Sequence, residues 1–191
     1  MVESDSDLVR VVAEINERLQ AVHDYLGDRN NDAARIRFPR GYLRTCAYHR
    51  SKYAFLNDKT LQSNIAYAKM TTDIFRWMLN RTDISLTAKE MLIKQGISIV
   101  GAVAESVVKV VLTGQPGGGN RQNFKKRVEM LFNTGRITKE VKLELEWLWD
   151  TRNDLHLMLL DEREYKKYEI SHYNRAVLAL KELRISLGGL P

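Results

Sequence analysis

Residues 96–112 read GISIVGAVAESVVKVVL, the most apolar run of the chain, and the fold turns on what that run is. A comfortable membrane span takes about 20 predominantly apolar residues. This run is shorter, and Glu105 and Lys109 within it are expensive at the centre of a bilayer. It reads as the buried helix of a soluble bundle. Upstream, Thr87-Ala88-Lys89-Glu90 has the form of a capping box, in which a hydroxyl and a carboxylate each satisfy one end donor. Downstream, Gly114 stops the helix.

The same helical spacing extends outward on both sides. Residues 59–79 place Leu61, Ile65, Ala68, Thr72, Phe75 and Leu79 on one face, and Tyr67, Met70, Ile74 and Trp77 form a second apolar strip. That helix is expected to be covered on two sides. Residues 8–26 repeat Leu8, Val11, Val12, Ile15, Leu19, Val22 and Leu26, with Asp5, Ser6 or Asp7 as the cap. A further helix is expected after Pro39, carrying Tyr42, Leu43, Cys46, Ala47, Tyr53 and Ala54. Beyond the central run come a short basic helix over 123–132, a helix over 138–157 with Trp147 and Trp149, and a last helix over 171–187. That last helix holds Tyr173, Val177, Leu180, Leu183 and Leu187 and ends at Gly188. No alternating apolar run predicts a strand. The expected fold is all-α, an up-and-down helical bundle forming a single domain over residues 1–191.

Composition narrows the function classes. Hydrophobic residues make up 44% and charged residues 28%, a globular balance, and the formal charge of +6 suits a polyanionic partner such as nucleic acid. A single cysteine, Cys46, excludes an internal disulfide and a cysteine-built zinc site, and fits a reducing compartment, hence the cytoplasm. Four scattered histidines give no metal cluster, so neither metal nor cofactor is expected. The acidic, polar opening MVESDSD does not read as a signal peptide, and no membrane partner is expected.

Residues 33–57 contain no acidic residue, while Arg35, Arg37, Arg40, Arg44, Arg50 and Lys52 alternate with aromatic side chains. Arg40, Arg44 and Arg50 are candidates for an RNA backbone, with Tyr42, Tyr48 or Tyr53 stacking on bases. The bland alternative is a solvated basic face over core aromatics. Arg121, Lys125, Lys126 and Arg127 form a second basic cluster, read the same two ways. Cys46 and His49, three apart, hint at a thiol nucleophile, but a buried free cysteine is the commoner arrangement. The Gly114–Asn120 stretch lacks the Lys-Ser/Thr ending of a phosphate loop and reads as a flexible connection.

The segment 147–157, WLWDTRNDLHL, carries the most specific signal. Arg152 and His156 lie four apart, on one helical face that continues back through Trp149 to Leu145. An inert reading has Arg152 bridging Asp150, Asp154 or Glu105, with His156 in the core. Arg152 and Asn153 followed closely by His156, ahead of a final amphipathic helix, resemble the HEPN superfamily over residues 85–187. That resemblance implies a small helical bundle, commonly a homodimer, acting as a metal-independent endoribonuclease in toxin–antitoxin systems or phage defence. It implies that Arg152, Asn153 and His156 are catalytic, with Glu105 and Asp154 supporting, and that a nucleotidyltransferase-type antitoxin can be the partner. His156 would take the 2′-hydroxyl proton and Arg152 would hold the phosphoryl oxygens. The family pattern has four to six residues between arginine and histidine. Here three intervene, which turns His156 about 100° around a helix. That shortening keeps a second expectation open: a non-catalytic dimeric module that binds RNA or protein.

Overall fold

A computed structural model describes residues 2–115, 122–153 and 168–190. Among them are seven α-helices, one short 3-10 turn and no strand, so the chain is all-α. It divides into two compact units, Met1–Arg40 and Gly41–Pro191.

The N-terminal unit is built on α1 (Asp5–Leu26), followed by the 3-10 turn Asp32–Ala34. Ser4 is the cap, one residue ahead of those expected, and its hydroxyl accepts from the Asp7 amide at 3.1 Å. The apolar stripe is present but buries no residue. Leu8, Val12, Ile15, Leu19 and Val22 remain 39–49% exposed. Its period predicted the helix correctly, while the core it was expected to face is not supplied by this unit.

The second unit packs around α4 (Leu86–Leu112), which touches α3 (Lys59–Arg81), α5 (Phe124–Asn133), α6 (Lys139–Asn153) and α7 (Ile170–Ser186). Ile97, Val100, Ala104, Val107, Val108 and Leu112 of α4 are fully buried. The helix has 27 residues, and by length and composition alone it is long and apolar enough to cross a membrane. It opens at Leu86 behind Ser85, so the capping box expected at Thr87 does not mark its first turn. Gly96 lets α7 come close: a Cβ there would lie 2.5 Å from the Tyr173 ring.

Two expectations need correcting. α3 is capped by Asp58, which accepts from Leu61, but its second apolar strip is not fully covered: Tyr67 and Ile74 stay at the surface. The helix after Pro39 shrinks to α2 (Cys46–Lys52), because Thr45 caps it from a turn that spans the preceding residues. At the other end, α7 starts with the His172 ring accepting from the Glu169 amide, 3.1 Å away.

Candidate functional site

The stripe on α6 climbs from core to surface. Leu145 is fully buried, Trp149 is half-buried against Phe124 with ring centroids 4.8 Å apart, and the Arg152 side chain is 25% exposed. The guanidinium lies over the Trp149 ring, 5.0 Å from its centroid, and pairs with Glu105 of α4 at 3.3 Å. Gly101, one turn before Glu105, makes room for it. A Cβ at Gly101 would meet the Arg152 stem at 3.1–3.3 Å, tighter than ordinary contact.

Of the three carboxylates considered for Arg152, Glu105 is therefore the one it pairs with among the described residues, while Asp150 takes Lys125 at 2.6 Å. Asn153 closes the described part of α6 and is half-buried. Asp154 and His156 lie outside the described residues, as does Arg121.

The basic candidates differ in exposure and in partners. Arg40 is exposed in the N-terminal unit. Arg50 is exposed on α2, and Lys126 is exposed on α5. Lys125 is engaged by Asp150, and Arg127 is buried at 4% exposure, which removes it from any solvated face. Arg44 turns inward. Its backbone amide and its Nε both donate to Asp73, at 3.2 and 3.1 Å, and a second guanidinium nitrogen donates to the other carboxylate oxygen. His49 is buried and meets the same carboxylate at 3.1 Å, while Cys46 Sγ faces Met70 Sδ. Burial pushes the Asp73 carboxyl up, and the Arg44 hydrogen bonds and charge more than offset that, leaving it below its usual range. Burial holds His49 below its ordinary value despite the bond to Asp73.

These contacts floor a cavity of about 340 Å³ between α2, α3 and α7 that sequence reasoning did not find. Its cations are Arg44, Lys52, Lys69, Arg76, Lys181 and Arg184, and Asp73 is the one carboxylate among its lining residues. Burial first, then the charges of Arg44, Arg184 and Arg76, push the Lys69 ammonium down to about 8. The signal available was the charged stripe Lys69, Asp73, Arg76 at i, i+4 and i+7 between the two apolar strips of α3. Its partners on α2 and α7 leave no trace in local spacing.

Compared with family models, curated proteins and solved structures, this chain matches none of them.

Proposed function

We propose that the chain acts on RNA through the Arg152 end of α6, as a metal-independent endoribonuclease. The observation that supports this reading is the Glu105–Arg152 pair. A guanidinium set on Trp149, steered by a carboxylate from another helix and still partly exposed, is an oriented donor for phosphoryl oxygens. His156 follows four residues later in sequence. In the proposed step it removes the ribose 2′-hydroxyl proton, and the 2′-oxygen bonds to the adjacent phosphorus. The bond to the 5′-oxygen breaks, and that oxygen takes a proton from water. The products carry a 2′,3′-cyclic phosphate and a 5′-hydroxyl.

A second reading has its own support. The shortened spacing between Arg152 and His156 favours a module that binds RNA or a protein partner without cleaving, including a nucleotidyltransferase-type antitoxin. Salt-sensitive RNA binding with no cleavage selects this alternative.

In either form the working unit is a homodimer. Support comes from α1, where Leu8, Val12, Ile15, Leu19, Val22 and Leu26 recur at alternating steps of four and three, the seam of a coiled coil. Such a seam is self-complementary, so a second copy of the chain covers it.

The test is incubation of purified protein with RNA in EDTA, alongside His156→Ala and Arg152→Ala. Loss of cleavage in both variants supports the nuclease. Equal cleavage by all three proteins removes it.

A further inference from the structure

We propose that the cavity between α2, α3 and α7 binds an oligophosphate, presented either by a free nucleotide or by the 5′ end of an RNA. The inference is independent of whether the chain cleaves RNA.

Charge imbalance carries it. With Lys52 set aside, five cations face one carboxylate, and that carboxylate is already occupied: both Asp73 oxygens are taken by Arg44 and His49. Arg76 reaches it only at 4.0 Å, and its Nε is buried without a hydrogen-bond partner among the described residues. The ammonium groups of Lys69 and Lys181 have no hydrogen bond or ion pair among the described residues. Like charges gathered in a partly dry cleft repel one another and destabilise the folded chain. A polyanion removes that repulsion and supplies the missing acceptors.

Shape and chemistry narrow the class. A volume of about 340 Å³ sits at the small end of ligand sites, enough for a phosphate chain and less than a large cofactor needs. Guanidinium groups from two elements, Arg76 on α3 and Arg184 on α7, suit the several oxygens of linked phosphates better than a single carboxylate. The aromatic walls do not oppose an anion. Burial pushes the Tyr53 and Tyr173 hydroxyls up to about 12, so both stay neutral, and Tyr173 donates to the Thr72 carbonyl at 3.3 Å.

The experiment is calorimetric titration of the full chain with inorganic triphosphate and with ATP at physiological salt. Two short RNAs, identical except for a 5′-triphosphate or a 5′-hydroxyl, complete the set. Saturable binding of triphosphate is expected, weakened about tenfold or more in the double variant Lys69→Met, Arg184→Met. The charge-matched control Lys59→Met, Lys139→Met, at two exposed positions outside the cavity, keeps the wild-type affinity. Should the double variant fail to fold, Lys181→Met at its exposed position provides the same comparison, with a loss of about threefold or more expected. Binding of ATP assigns the site to a free nucleotide. A preference for 5′-triphosphate RNA that vanishes in the double variant, or in Lys181→Met if that is the variant used, assigns it to an RNA end. Absence of saturable binding to every probe overturns the proposal, and so does equal weakening by the control pair.

Discussion

Asp73 ties Arg44 to the buried His49 in the second unit. Removing it strands Arg44 and the buried His49, and breaking a buried charged network from one side costs about 3–5 kcal/mol. Asp73→Ala is therefore expected to lower stability by that amount in urea unfolding. The pH dependence has a definite sign. Asp73, held below its ordinary 3.8, adds stability above that value and loses it as the pH falls through the folded value. His49, held below 6.5, resists a proton that the unfolded chain accepts, so stability also falls once the pH drops under 6.5. Lys69 acts in the opposite range. Its ammonium, at about 8 in the fold against 10.5 ordinarily, makes stability rise as the pH climbs between those values, and Lys69→Met abolishes that rise. At the other site the ion pair is half-exposed, so Glu105→Gln should change stability by less than about 1 kcal/mol. If Glu105 steers Arg152 toward phosphate, the same variant loses about tenfold or more in RNA cleavage, and normal cleavage would show the pair to be structural only.

Among the elements, α4 and α1 make opposite uses of their apolar stripes. α4 is enclosed on several sides, and Gly96 sets its approach to α7, so Gly96→Ala forces the Tyr173 ring aside and costs about 1–3 kcal/mol, read as a lowered midpoint in thermal melts. α1 buries none of its own stripe. Ile15→Glu with Leu19→Glu should leave the second unit's melt unchanged while shifting the chain from dimer to monomer in light scattering. A wild-type monomer would remove the coiled-coil reading. Helix type and length were legible because periodicity is local: α1, α3, α4, α5 and α7 begin and end within three residues of where the spacing put them. The basic stretch after Pro39 was harder to read. Tyr42 and Leu43 sit at helical spacing from Cys46, yet Thr45 caps a shorter helix and its neighbours turn instead.

For the whole molecule, the same distinction explains which parts of the candidate sites could be foreseen. The Arg152 stripe was visible because Leu145, Trp149 and Arg152 share one helix, and Glu105 stood out as a carboxylate in an apolar run. The cavity was invisible because Arg44 and Asp73 lie 29 residues apart and Tyr173 meets Thr72 across 101, distances that no local pattern encodes. Part of the excess of cations lies at that cavity. RNA affinity is accordingly expected to fall log-linearly with salt, and a flat salt response would argue against nucleic acid as the partner.

The most direct measurement is end-group analysis of RNA incubated in EDTA with wild type, Arg152→Ala and His156→Ala, each shown by circular dichroism to be folded. Wild type should yield 2′,3′-cyclic phosphate and 5′-hydroxyl ends, with both variants silent. Intact RNA after incubation with folded wild type across several substrates, or undiminished cleavage by either variant, would contradict the assignment of chemistry to this end of α6.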